Sequence, residues 1–250
     1  MGVEAGLAGL FGLLIGSFLN VVIHRLPRGE SLVRPGSRCP SCEREIAPYD
    51  NLPVVSWVLL RGRCRHCGET ISARYPAVEA LTGATFAAVV LARGAGDDLW
   101  MQLPFAAVLI AVAFIDLDHR IIPNRILAPA AIYGVAAAAL VRTGDLPELL
   151  IAGAAAFLAL LLTALAYPAG MGMGDVKLAG VMGLYLGIAV IPALLAAFLA
   201  GTLVGLAMIA REGAGARKEG VPFGPFLALG GLIGLLAGPE LVDWYADTFL

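Results

Sequence analysis

The chain has 250 residues, of which 59% are hydrophobic and only 14% charged. Soluble domains carry about 25% charged residues, so a soluble globular fold is excluded: a chain of this size cannot hide that much apolar surface, and the bilayer must solvate much of it. The formal net charge of −2 gives no bulk attraction to nucleic acid, and no nucleic-acid partner is expected.

In chain order, charge-free runs cover 5–23, 99–115, 126–141, 149–174, 178–210 and 221–239, and a further run over 75–92 is interrupted only by Glu79. A hydrocarbon core of ~30 Å needs about 20 apolar residues in a helix. The run 178–210 holds 33 residues, too many for one comfortable crossing, and Pro192 near its middle is the expected point of division. The expected fold is therefore an all-α polytopic membrane protein of about eight transmembrane helices, with a small cytoplasmic four-cysteine, zinc-ribbon-like loop. The expected organisation is a first transmembrane helix over 1–23, a metal-binding region over 24–75, and a seven-helix membrane domain over 76–250. No sheet-forming run and no internal repeat is evident. Gly12/Gly16, Gly183/Gly187, Gly201/Gly205 and Gly230/Gly234 stand at GxxxG spacing, which reads as close helix packing.

Charge placement orients the spans. The first run follows Glu4, has no basic n-region, and is followed by Arg25 and Arg28, so it reads as a retained span with its N-terminus outside. With eight spans, every Lys and Arg except Arg93 and Arg142 falls in the inside segments 24–75, 116–125, 170–177 and 211–220. A single span over 178–210 would put Arg211, Arg217 and Lys218 outside. The acidic C-terminal stretch (Glu240, Asp243, Asp247) falls outside.

All four cysteines lie in one inside loop, as Cys39-Pro-Ser-Cys42 and Cys64-Arg-His-Cys67 with 21 residues between the pairs. Each CxxC turn offers two thiolates, and two turns complete a tetrahedral shell, with Zn²⁺ the default ion. An iron–sulfur site is the minor alternative, and disulfides would need an oxidising compartment. Four thiolates leave no open position for water, so the ion's role is structural, supplying folding free energy to a ribbon with little core. His66 reads as exposed rather than ligating. The surrounding arginines (Arg34, Arg38, Arg61, Arg63, Arg65) read as topology determinants or contacts to anionic head groups.

Acidic residues near membrane depth are functional candidates. Asp116, where the third span meets the inside, and Asp175, where the sixth begins, fall at one membrane face by topology alone. Two carboxylates in contact share a proton, so one can activate a water while the other donates to a scissile carbonyl; neither role is assigned to either residue. The bland readings are an ordinary interfacial charge for Asp116, an N-cap for Asp175, and a solvated helix end before Pro123 for Asp118-His119-Arg120. Gly170, Gly172 and Gly174 suit an unhelical approach, with Gly174 leaving room for a substrate backbone. Lys177 reads as a snorkelling anchor or a group biasing the pair's ionisation, the anchor being favoured. Glu79 reads as a local cap or as a contact to a cationic substrate segment.

Five ordered motifs then resemble a known family, the bacterial prepilin peptidases or type IV leader peptidases. These are Gly16-Ser-Phe-Leu-Asn-Val-Val-Ile-His-Arg-Leu-Pro27, the double CxxC loop trailing into Arg74-Tyr-Pro-Ala-Val-Glu79, Ile115-Asp-Leu-Asp-His-Arg-Ile-Ile-Pro-Asn124, Gly172-Met-Gly-Asp-Val-Lys-Leu178 and Pro222-Phe-Gly-Pro-Phe226. The resemblance implies a polytopic aspartic endopeptidase of the GxGD type in the bacterial inner membrane, with Asp116 and Asp175 on the catalytic motif positions and Asp118 beside them. It implies removal of the basic leader of type IV prepilins or type II secretion pseudopilins, after a glycine. It also implies methylation of the new N-terminus with S-adenosylmethionine; no glycine-rich fold for that cofactor is visible. Some family members carry a longer insert before the first CxxC, whereas here 15 residues separate Ile23 from Cys39. The expected partners are a prepilin or pseudopilin and membrane lipids. Two other classes compete: an ion- or proton-coupled transporter using the two aspartates as a relay, and a non-enzymatic membrane-tethered zinc ribbon.

Overall fold

The computed structural model describes residues 1–168, 170–212 and 221–249; Arg217 and Lys218, used in the topology count, lie outside the described residues. Every long element is a helix, and pairing between extended segments is confined, among the described residues, to two isolated bridges, Arg38 with Glu45 and Arg63 with Thr70. The helices are α1 (Gly2–Arg25), α2 (Val55–Leu59), α3 (Arg74–Arg93), α4 (Leu99–His119), α5 (Asn124–Val141), α6 (Leu146–Ala166), α7 (Met173–Leu186), α8 (Val190–Glu212) and α9 (Gly224–Phe249). The chain forms two compact units, 1–95 and 96–250.

Among the described residues, seven segments are long and apolar enough to cross a membrane, one of them the 39-residue stretch Met173–Arg211. That stretch is broken by a 3₁₀ turn at Gly187–Ala189, so eight long helices result, as expected. The break falls five residues before Pro192. Gly187 ends α7 at φ +57, a conformation that glycine enters without a Cβ penalty. Pro192 instead sits in the first turn of α8, where a missing N–H costs nothing.

In the first unit, α1 and α3 run antiparallel along a glycine seam. A Cβ on Gly12 would lie 2.8 Å from the Gly83 Cα, and one on Gly16 would lie 2.6 Å from the Glu79 Cα. The small residues there let the two backbones touch.

In the second unit, glycine contacts also set helix direction. Gly183 packs its backbone on Ala152 and Gly153 of α6. Along α9, Gly224 meets Asp116, Gly231 meets Leu109, and Gly234 meets Leu186 and Ala193. Gly201 of α8 lies against Phe223 and Phe226 at the start of α9. Thus α7 runs away from the Asp116 end, the chain reverses at 187–189, and α8 returns. α6 stops at Ala166, short of the expected 174, and α9 continues through Pro239 and the acidic residues to Phe249.

Candidate active site and four-cysteine cluster

Asp116 occupies the last turn of α4, which ends at His119. Arg120 caps it in the left-handed region, its N–H reaching the Asp116 carbonyl at 2.9 Å. This cap turns the chain into the extended 121–123 link and on into α5. Asp116 is 5% exposed and its Oδ2 accepts the Gly224 N–H at 2.9 Å. Gly224 is the first residue of α9, so its N–H is one of a helix's unpaired amides and suits an anion. Asp118, two residues on, is exposed, in keeping with a helix end.

Asp175 lies in the first turn of α7 and is 9% exposed. It is not the N-cap: Gly172 is, and the Asp175 Oδ2 accepts the Gly172 N–H at 3.1 Å while the Asp175 N–H returns to the Gly172 carbonyl. This is the acid half of a capping box. Gly174 is already helical, and its missing Cβ makes room for Ile122, whose Cβ would be 2.9 Å away, rather than for a substrate.

Both aspartates line one cavity of about 320 Å³. Arg120, Asn124 and Lys177 share its wall. The Lys177 Nζ donates to the Asn124 Oδ1 at 3.0 Å, so this lysine is a cavity residue rather than a free snorkelling anchor. Asn124 and Gly224 were quoted in motifs without a role; Gly224 lies 108 residues from Asp116, and no spacing signal could have joined them. The arrangement puts two carboxylates on the wall of one cavity with the cations Arg120 and Lys177 and the amide of Asn124 beside them.

In the first unit, Glu79 is buried at 8% exposure and its Oε2 accepts the Val54 N–H at 2.7 Å. It acts as a local cap for the loop entering α2.

The four cysteines come together. Their sulfurs lie within 4.8 Å of one another, and Cys39 Sγ stands 3.7 Å from Cys67 Sγ. A tetrahedral ion with Zn–S near 2.3 Å requires sulfurs about 3.8 Å apart, so the donor set fits Zn²⁺. Each pair sits on a knuckle. Cys39 N–H bonds the Arg44 carbonyl and Glu43 N–H the Cys39 carbonyl; Cys64 N–H bonds the Glu69 carbonyl and Gly68 N–H the Cys64 carbonyl. Ile46 to Ser37 and Ile71 to Gly62 close the two loops identically. Every partner is displaced by 25 residues, as Cys39 is from Cys64: an internal repeat that Arg, Cys, Cys and Ile alone carry in the sequence. Backbone N–H groups of Cys67 and His66 aimed at Cys64 lower its thiol to about 6, while, against the backbone N–H of Glu69, burial and the neighbouring thiols push the Cys67 thiol up to about 12, so the clustered sulfurs favour one thiolate at the expense of the next. His66 is exposed and accepts from Arg44 at 3.3 Å. Arg65 joins Asp50 in two hydrogen bonds and holds that carboxyl below its usual range.

The pattern of the Bacterial Peptidase A24 N-terminal domain matches residues 10–93, and that of the Type IV leader peptidase family matches residues 103–208. The chain belongs to the type IV leader peptidase family. It is 37% identical to a prepilin leader peptidase/N-methyltransferase of Aeromonas hydrophila, over 96% of this chain and 93% of that protein. A protein of the same name from Bacillus subtilis (strain 168) is 34% identical over 96% of this chain and 97% of its own length. One from Pseudomonas aeruginosa is 32% identical over 94% and 91%. No solved structure is a significant match. The family, with seven candidate spans, makes the chain a multi-pass membrane peptidase. The family's main domain contains Asp116 and Asp175, its N-terminal domain contains the four cysteines, and Gly224 lies beyond both matched ranges. Nothing in the comparisons supports the transporter.

Proposed function

We propose that this chain is an aspartic endopeptidase that removes the leader of type IV prepilins or type II secretion pseudopilins at the cytoplasmic face of the inner membrane. Asp116 and Asp175 are its catalytic pair. The observation that carries this reading is that two buried aspartates from separate helices line one cavity. One carboxylate takes a proton from water, the water attacks the scissile carbonyl, and the other carboxyl protonates the forming oxyanion. The proton then passes to the leaving amine as the tetrahedral intermediate collapses. Within the second unit Arg120 and Lys177 stand at the same end as the pair while Arg142 follows the far end of α5, a bias that supports a cytoplasmic site.

The four-cysteine cluster, Cys39, Cys42, Cys64 and Cys67, holds a structural Zn²⁺ that fixes the two knuckles. Methylation of the new N-terminus with S-adenosylmethionine is proposed from the names of the relatives; no residue is assigned to hold that cofactor.

The test is cleavage of a prepilin in liposomes by wild type, Asp116→Asn and Asp175→Asn, with mass spectrometry of the product N-terminus. Asn keeps shape but cannot exchange the proton. Both variants are expected to be folded and inactive while wild type trims the leader and adds a methyl mass. Wild-type cleavage by either variant overturns the assignment of that aspartate.

A further inference from the structure

Between the two cysteine knuckles the chain presents apolar side chains outward. Leu52, Val55, Val58 and Leu59 are 53%, 52%, 60% and 76% exposed. At 100° per residue Val55, Val58 and Leu59 fall on one side of α2, and Leu52 precedes it. The opposite side is fastened inward: Ser56 is buried, its hydroxyl donating to the Tyr49 carbonyl and accepting the Leu52 N–H, and the Trp57 indole N–H donates to the Ile71 carbonyl. An apolar face turned outward from a segment that spans nothing needs an occupant.

The depth of α2 identifies it. The Val54 N–H, immediately before α2, is bonded to Glu79, the sixth residue of α3. At ~1.5 Å per residue the Cα of Glu79 stands about 7 Å inside the helix start. Gly16 of α1 packs on the same residue, nine residues before that helix ends at Arg25, about 13 Å along the axis. Leu14 and Phe18 of α1, flanking Gly16, are 58% and 50% exposed on a helix long and apolar enough to cross a membrane. The entry to α2 is thus stitched to the two long helices at a level where their own apolar side chains are exposed. Arg61 and Arg63 follow α2 and are exposed, as cations are at the head-group layer.

We propose that the outward face of α2 is an interfacial anchor, seated in the lipid bilayer at the boundary between acyl chains and head groups. The ribbon is then held down by lipid as well as by its two flanking helices, independently of what the peptidase site cleaves.

The full chain, reconstituted without substrate in phosphatidylcholine/phosphatidylglycerol vesicles, carries p-benzoylphenylalanine in place of Leu59, in place of Glu69 on the second knuckle, or in place of Leu10 on the lipid-facing side of α1. After irradiation, mass spectrometry reads the adducts. Unchanged thermal unfolding shows that each replacement folds, which the exposure of all three positions favours. Expected are lipid adducts from the Leu59 and Leu10 probes and loss of that signal from the Glu69 probe. Adducts from the Leu59 probe to residues of this chain, or no lipid adduct there while Leu10 gives one, overturn the proposal. The first result would assign the face to protein, the second to water.

Discussion

Gly224→Ala tests the seating of Asp116 most directly. A Cβ on Gly224 would lie 2.7 Å from the Asp116 Oδ2, 2.9 Å from its Cγ and 3.0 Å from its Cβ. All three distances are at or below the limit for real contacts, and the atoms are the short, stiff side chain itself. Asp116 must swing away, and the 2.9 Å bond from the Gly224 N–H goes with it. A hydrogen bond to a charged group is worth about 1.5–3 kcal/mol, and a 1 Å misplacement of reacting groups costs on the order of 100-fold in rate. Cleavage of a prepilin in liposomes by Gly224→Ala is therefore expected to fall about 100-fold in kcat, with a smaller change in KM. Gly201→Ala is the control. It lies in the neighbouring α8–α9 contact, where its Cβ would meet no atom of Asp116, only Phe223 at 3.3 Å and Phe226 at 3.5 Å, and it should cleave nearly as wild type. If Gly224→Ala keeps the wild-type rate while Asp116→Asn is inactive, the reasoning that this amide positions the carboxylate is refuted.

Elemental analysis of the purified chain should find about one zinc per molecule, and Cys64→Ser should lose it. Stripping the metal should open residues 26–73 to protease while the helices of the second unit stay protected. Glu43→Gly should stabilise the first knuckle. Glu43 holds φ +56 where its repeat partner Gly68 holds φ +75, and relief of a left-handed non-glycine residue is worth about 1 kcal/mol; the check is a higher denaturant midpoint for metal release. Lys177→Met removes the donor to Asn124 and should lower kcat about 30-fold, or about 2 kcal/mol, within the 1.5–3 kcal/mol of a charged hydrogen bond, with Lys177→Arg restoring part of it. Wild-type cleavage by Lys177→Met would return this lysine to the role of a membrane anchor.

Much of this fold was legible because membrane helices announce themselves by length alone. The eight helices came from charge-free runs, and the double CxxC spacing picked out four sulfurs that do converge. The position of the α7–α8 reversal was not legible. Proline is the louder signal, but Pro192 is harmless in a first turn, and the break needed a left-handed residue, supplied by one of 31 glycines. The capping role of Asp175 was misplaced by three residues because a glycine N-cap carries no side-chain signature. The knuckle repeat was hidden because its likeness lies in backbone hydrogen bonds, which tolerate different side chains. Lys177 was read from its own helix, whereas its partner Asn124 comes from another.

The two aspartates are held by the same device from opposite directions. Asp175 takes the N–H of Gly172, the N-cap of its own helix, so its position is fixed locally by the turn that starts α7. Asp116 stands at the end of α4, where carbonyls rather than amides are unpaired, and no local donor could serve it. It borrows an amide from the first residue of α9 instead. Each carboxylate is anchored at Oδ2 by a glycine N–H, which brings no side chain into the cavity and does not exhaust the acceptor capacity of the second oxygen. The consequence is asymmetric. Asp175 depends on one turn, while Asp116 depends on the packing of α4 against α9 through Gly224 and Gly231. Loosening that helix contact should therefore disable the site through Asp116 first.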